Sequence, residues 1–168
     1  MKKTRAEVPH DRLLDVLAYS PETGAFIWRV DMAKNKCAGR LAGNVRSKTG
    51  YVCISIDGVR YLGHRLAWFY MTGAWPSNEI DHIDRQGWNN RWNNLREASR
   101  AQNSQNTDRK KGLSNFKGVI WDNERQKWAP KIGLNGKCIN LGRFDDIEEA
   151  KAARLAAETR LFTHSPRV

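Results

Sequence analysis

Two dipeptides, Asp57-Gly58 and Asn135-Gly136, constrain this chain more than any other feature. Each interrupts a run in which apolar residues alternate with polar ones, "YVCISIDGVRYLGHR" and "KIGLNGKCINLGRF". Asp-Gly and Asn-Gly tolerate two successive positive φ angles, as the two-residue turn of a tightly twisted hairpin requires. Period-two alternation puts one set of side chains on a single face. The chain therefore contains at least two antiparallel hairpins, each with one face to bury. Their similarity follows from hairpin chemistry and is not read as a repeat.

Helices and further strands surround these hairpins. Residues 11–19, "DRLLDVLAY", predict a short amphipathic helix, and a Pro/Gly turn then leads to a strand at Ala25–Val30. A long polar, basic, glycine-containing loop follows. "HRLAWFYMTGAWP" reads as a helix stopped by Gly73, with Pro76 beyond it. "SRAQ" fits a capping box with Ser99 as N-cap and Gln102 as its partner, so a helix starts near Arg100. The segments "FKGVIW", "KWAPKIGL" and "KCINLGRF" predict three strands. "DDIEEAKAARLAAETRLF" predicts a helix with an acidic first turn, and Ala150, Ala153, Leu155, Ala156 and Ala157 form its packing face. Pro130 removes a ladder donor, so its bond faces an edge or the strand is broken there. The fold class is α+β. Residues 1–106 form a first domain with its central pattern at 61–106, residues 107–113 a linker, and residues 114–163 a small sheet-plus-helix domain.

Formal net charge is +11 and the pI is near 9.9, which favours a polyanionic partner, nucleic acid first. Most of the excess precedes residue 112. Cys37, Cys53 and Cys138 are odd in number and form no CxxC pair, which argues against a zinc ribbon or a disulfide framework. No apolar run reaches the roughly 18 residues of a membrane helix. "MKKTRAEVPHDRLL" lacks the apolar region of a secretory signal, so the expected compartment is the cytoplasm. A monomer or weak dimer is expected.

The stretch "IDHIDRQGWNNRWNNLREASRAQN", residues 80–103, is too rich in Asn to be an ordinary strand or helix. It is either a solvated loop or a set of amides and an imidazole arranged around something. Its residue types suit phosphodiester hydrolysis, which needs a divalent metal, a base and a group that orients the base. Asp81 supplies a hard oxygen for a metal, and His82 is a base near neutrality. Neighbours in a strand point to opposite faces, so these two serve one site only at a strand end or bend. Asn94 offers an amide oxygen to orient the imidazole. Asn103 offers a second oxygen to the metal, in competition with Asn106 on a similar helix face. Two protein oxygens leave room for water and phosphate, as Mg²⁺ prefers, with Mn²⁺ as a substitute. His64 reads as structural or as a phosphate contact, and Asp84 as a turn residue or a support for the site. Trp88 and Trp92 pack beneath the loop or touch the minor groove. Arg85, Arg91, Arg96 and Arg100 read as phosphate contacts as a group.

The run "HRLAW…G-WP…IDHID…NNRWNNLR…QN" resembles the H-N-H nucleases of phage homing and free-standing type, over roughly residues 61–106. The resemblance implies a ββα-metal (His-Me finger) domain. His82 would be the general base, Asp81 and Asn103 the metal ligands and Asn94 the middle Asn. It lacks the Cys pairs that bring a structural zinc to some members. The C-terminal part resembles the AP2 DNA-binding domain through "KGV", Trp128, "LGRF" and the Ala-rich helix. That resemblance implies double-stranded DNA as partner and DNA contacts from Lys117, Trp121, Lys127, Trp128, Lys131 and Arg143. The expectation is a metal-dependent endonuclease of the site-selective nicking or homing type. The rivals are a non-enzymatic AP2-type regulator with a degenerate nuclease unit, and an RNA-binding protein using the same charge.

Overall fold

The structure is a computed structural model and describes residues 7–32, 35–107 and 113–164. The expected linker lies, at 108–112, outside the described residues. The chain divides into two compact units, residues 1–99 and 100–168.

In the first unit, helix α1 (His10–Val16) runs directly into strand β1 (Leu17–Tyr19), which pairs antiparallel with β2 (Phe26–Trp28). The helix expected over 11–19 thus ends at Val16. The next three residues exchange helical bonds for the register Leu17–Trp28 to Tyr19–Phe26, and the Val16 carbonyl accepts from the Arg29 N–H. The strand expected at Ala25–Val30 is correspondingly shorter. A second sheet orders β3 (Asn44–Val45), β4 (Val52–Ile56) and β5 (Val59–Leu62). Asp57 (φ 48°) and Gly58 (φ 77°) make its predicted tight turn. Helix α2 (Gly63–Thr72) follows β5 without a loop and ends at Gly73, whose φ of 72° gives the left-handed cap. Leu66, Ala67 and Phe69 of α2 are buried with Leu13, Leu17, Ile54 and Ile56 in one core. Strands β6 (Glu79–His82) and β7 (Leu95–Ala98) form a separate antiparallel pair, joined by the Asn-rich loop and a 3-10 turn at Trp92–Asn94. Ile80 and Leu95 anchor this ribbon to the core of the unit.

The second unit starts with helix α3 (Arg100–Gln105), close to the start predicted by the capping signal. Strands β8 (Val119–Asp122), β9 (Lys127–Leu134) and β10 (Lys137–Asn140) form an antiparallel sheet in the order β10-β9-β8. Asn135 (φ 50°) and Gly136 (φ 75°) close the second predicted hairpin. Pro130 does not break β9. Trp128 exchanges both backbone bonds with Phe144, and β10 pairing begins at Lys131–Asn140, so the proline falls between the two ladders. Helix α4 (Ile147–Leu161) packs on the sheet, chiefly against β9, with Asp146 as N-cap accepting from the Glu149 N–H at 3.3 Å. Its buried face differs from the expected alanine stripe. Ala150 and Ala157 are buried, whereas Ala156 is exposed. The remaining buried positions are Arg154 and Glu158, an ion pair at 2.8 Å on successive turns of that face. Arg154 also lies over the Phe162 ring, 5.4 Å from its centroid.

Candidate active site

The site is built on the β6–β7 ribbon and the first turn of α2. Asp81 and His82 close β6, where the chain leaves the ribbon, and both are buried. Immediately after His82 the chain bends: the Arg85 N–H bonds the His82 carbonyl, and Arg85 itself adopts a φ of 64°. This is the strand-end geometry that lets two adjacent side chains serve one place.

His82 Nε2 donates to Asn90 Oδ1 at 3.1 Å. That bond puts the proton on Nε2 and leaves Nδ1 with a basic lone pair. Burial pushes the His82 pKa below its ordinary value, opposed by the Asn90 hydrogen bond and by the charges of Asp84 and Asp81. Asn90 is almost fully buried and held from three sides. The Tyr19 hydroxyl donates to its carbonyl at 2.6 Å. A Cβ on Gly63 would stand 2.7 Å from its Nδ2, and a Cβ on Gly24 (φ 74°) would stand 2.5 Å from its carbonyl carbon. Only glycine satisfies both approaches.

The amide that meets His82 is thus that of Asn90, where Asn94 was expected. Asn94 organises the loop instead. Its Oδ1 accepts from the Asp84 N–H at 3.0 Å, and its Nδ2 donates to Asp84 Oδ1 at 3.0 Å and to the Asn89 carbonyl at 2.8 Å. Asn89 Nδ2 donates to the second Asp84 oxygen at 2.6 Å, and the Gln86 N–H to the first at 2.8 Å. Asp84 is thus the hub of the loop. Burial pushes its pKa up, but the hydrogen bonds from Gln86, Asn89 and Asn94 and the nearby His82 bring it below its ordinary value. Sequence reasoning missed Asn90, because "NNRWNN" offers four amides and spacing alone does not say which one turns inward. The glycine opposite and the tyrosine beneath are distant in sequence.

Asp81 is paired with Arg96, its direct partner in the β6–β7 register. The guanidinium Nε and Nη2 donate to Oδ2 at 3.0 and 2.8 Å. Arg96, expected as a phosphate contact, is thus the cross-strand partner of Asp81 in this structure. Arg85, Arg91 and Arg100 are exposed. His64 is buried against His82, their ring centroids 5.0 Å apart at 85°, and Tyr51 touches both rings. Trp88 is exposed, while Trp92 packs on Trp68 at 5.1 Å. Asn103 lies half-buried on α3 in the second unit, and Asn106 is buried just beyond that helix.

Among the described residues no three His, Cys, Asp or Glu side chains cluster as a metal site, and Cys37, Cys53 and Cys138 are free. The Asp81 carboxylate is a hard oxygen donor of the kind Mg²⁺ takes, and its Oδ2 is held by Arg96.

In the second unit, Trp121, Lys131 and Arg143 line one groove of 460 Å³ together with Arg125, which the sequence reading did not single out, and with Asp122 and Glu124; Asp122 pairs with Arg143 at 3.3 Å and with Arg125 at 3.6 Å. Trp128 is set edge-on to Trp121 at 4.9 Å. Lys127 pairs with Asp145 at 2.9 Å. Lys117, expected as a DNA contact, is engaged within the unit: its ammonium donates to the Ser104, Gln105 and Thr107 carbonyls at 2.9, 3.1 and 2.6 Å and so caps α3.

The antiparallel ribbon thus ends in a buried Asp-His pair beside an amide-ordered loop. The HNH endonuclease family model matches residues 61–105. Protein 3.8 of Escherichia phage T7 is 34% identical over 87 residues, covering 51% of this chain and 72% of that protein. The chain belongs to the family of that phage protein and carries an HNH endonuclease domain. No solved structure matches it. Among the described residues no helix is long and apolar enough to cross a membrane.

Proposed function

We propose that the chain is a metal-dependent DNA endonuclease that hydrolyses phosphodiester bonds in duplex DNA, cutting one strand per site. The observation that carries this reading is the His82–Asn90 hydrogen bond at the end of β6, which leaves Nδ1 of a buried, neutral imidazole as proton acceptor. In this reading His82 takes a proton from water at Nδ1 as the water attacks phosphorus in line with the leaving 3′ oxygen. Asn90 keeps the tautomer fixed and shares the positive charge that forms. Asn94, through Asp84, holds the loop that carries Asn90. Asp81 and Asn103 would hold Mg²⁺, for which Mn²⁺ would substitute; Asn103 rests on family spacing alone. When bound, the ion supplies charge stabilisation at the scissile phosphate and the 3′ oxygen. Products would carry 5′-phosphate and 3′-hydroxyl ends.

The second unit is read as the DNA-binding module of AP2 type, with Trp121, Lys131, Arg143 and Arg125 in one groove, where Asp122 and Glu124 hold the two arginines in place. It supports site-selective nicking of homing type. Net charge of +11 favours the polyanionic substrate. The experiment is incubation of supercoiled plasmid with the purified protein, with Mg²⁺ and with excess chelator. Open-circular product only with Mg²⁺ is expected. Full activity in chelator would refute the metal assignment. Tight duplex binding with no cutting under any divalent metal would favour the non-enzymatic regulator.

A further inference from the structure

We propose that His64 is a positioning residue for His82: its ring, with that of Tyr51, sets the plane in which the His82 imidazole lies. The inference rests on reading His82 as the base. The hydrogen bond from Nε2 to Asn90 fixes the tautomer and one end of the ring. By itself that bond does not set the terminal torsion, which is broad for His. A base must be aimed as well as deprotonated, because small errors of placement cost large factors in rate.

Two rings remove that freedom. His64 stands perpendicular to His82 at 85° and 5.0 Å, and Tyr51 is tilted at 36° and 5.7 Å. His64 and Tyr51 also touch each other at 5.2 Å, so the three rings brace one another. The platform is rigid, since α2 is fixed in the core through Leu66, Ala67 and Phe69. Gly63, one residue earlier, makes the close approach to Asn90. The first turn of α2 therefore controls both the ring of the base and its hydrogen-bond partner.

The cost of His64 argues against a packing role. It is 5% exposed, and among the described residues its Nδ1 is buried without a hydrogen-bond partner. Such an atom costs stability that an aliphatic residue would not. Retaining it beside a reactive group is the pattern of a site and not of a core. Burial, helped by the charges of His82 and Arg65, holds the His64 pKa down at about 3. The ring thus stays neutral and does not repel His82 when that imidazole is protonated.

The test uses the full-length protein with Mg²⁺ and compares His64→Leu, His64→Phe and His64→Asn with His82→Ala. Single-turnover nicking of supercoiled plasmid, duplex affinity and the ¹⁵N spectrum of the imidazoles are measured. His64→Leu and His64→Asn are expected to lower the nicking rate about 10–100-fold with affinity within about twofold. His64→Phe, which keeps a flat ring, is expected within about threefold of the parent. The His82 signals should show the Nε2-protonated tautomer in the parent and in all three His64 variants, since Asn90 sets it, so that a rate loss in His64→Leu is read as a loss of ring placement. Parental rates in Leu or Asn, a loss through affinity alone, or a Phe variant as slow as Leu would each overturn the inference. Should Leu not fold, Asn and Phe decide the same question. Parental cleavage by His82→Ala would refute the base itself, an outcome read on that variant alone.

Discussion

His82 Nε2 donates to Asn90 Oδ1 across eight residues of chain, and the acceptor is pinned on its other sides by Gly63 and the Tyr19 hydroxyl. A hydrogen bond to a fixed acceptor dictates the tautomer of an imidazole. Removing His82 with His82→Ala is expected to lower cleavage by about 10²–10⁴ while duplex binding is retained. Asn90→Ala is expected to lower the rate by about 10–100-fold, because the base survives without its orienter. Asn94→Ala should affect rate less than Asn90→Ala under conditions where both are folded. Single-turnover rates rank the three, and a larger loss at Asn94 would return the orienting role to it.

The ranking marks where the sequence was legible. Asp81 and His82 drew notice through the Asn-rich stretch around them and the family resemblance, and the strand end that the reading required of them is seen in the fold. Both hairpins were visible because Asp-Gly and Asn-Gly leave a tight turn little choice. Asn90 was not visible, since its contact with His82 depends on Gly24, Gly63 and Tyr19 closing on it from elsewhere in the unit. The helix at 11–19 was overextended because amphipathic spacing does not register the strand Phe26–Trp28 waiting to pair with Leu17–Tyr19. Lys117 read as a surface cation, and only the folded chain brings it to the C-terminal carbonyls of α3.

Asp84 and Asn94 bind each other twice, through backbone and side chain. Each side-chain hydrogen bond contributes about 0.5–1.5 kcal/mol, and stranding the carboxylate costs more. Asn94→Ala is expected to destabilise the protein by about 1–3 kcal/mol, read from urea unfolding. Asp84→Asn should cost a similar amount. A change below about 0.5 kcal/mol in both would mean that the loop is held by other contacts.

Arg96 and Asp81 form a largely enclosed pair, with side-chain exposures of 23% and 6%. Removing one partner leaves the other charge poorly compensated. Arg96→Ala should destabilise the fold by about 1–3 kcal/mol, and a double-mutant cycle with Asp81→Ala should give a coupling of about 0.5–3 kcal/mol. The guanidinium also competes for the carboxylate proposed to hold the metal. Half-saturation by Mg²⁺ in a nicking titration should therefore fall in Arg96→Ala and rise in Asp81→Ala. An unchanged Mg²⁺ requirement in both would remove Asp81 from the metal.

His64 makes stability depend on pH. Its pKa is about 3 when folded against 6.5 ordinarily, so the unfolded chain takes the proton first as pH falls. The contribution is complete above about pH 6.5 and is lost toward pH 3, at about 1.4 kcal/mol per unit. Between pH 7.5 and 4.5 the parent should lose about 2–3 kcal/mol more than His64→Leu. Urea midpoints across that range measure the difference, and parallel curves would show that the ring is not held neutral.

The Lys117 ammonium ties α3 to the C-terminal sheet, and the His164 N–H bonds the Gln105 side chain at 3.2 Å. A fragment cut at residue 112 would leave Lys117 without these carbonyl partners. A fragment beginning at Arg100 keeps them and corresponds to the second compact unit. Residues 100–168 are therefore expected to be more stable than residues 112–168, by about 1–3 kcal/mol for the charged hydrogen bonds retained. Both should bind duplex DNA without cutting it. Residues 1–111 should lose most target selectivity and bind with steep salt dependence, since phosphate contacts release counterions without reading bases. The measurements are urea unfolding of the two C-terminal fragments, then binding of a selected target against random DNA for each fragment and the whole chain. Equal stability would show that the Lys117 cap contributes nothing. Selectivity in residues 1–111 equal to that of the whole chain would move target reading into the nuclease unit.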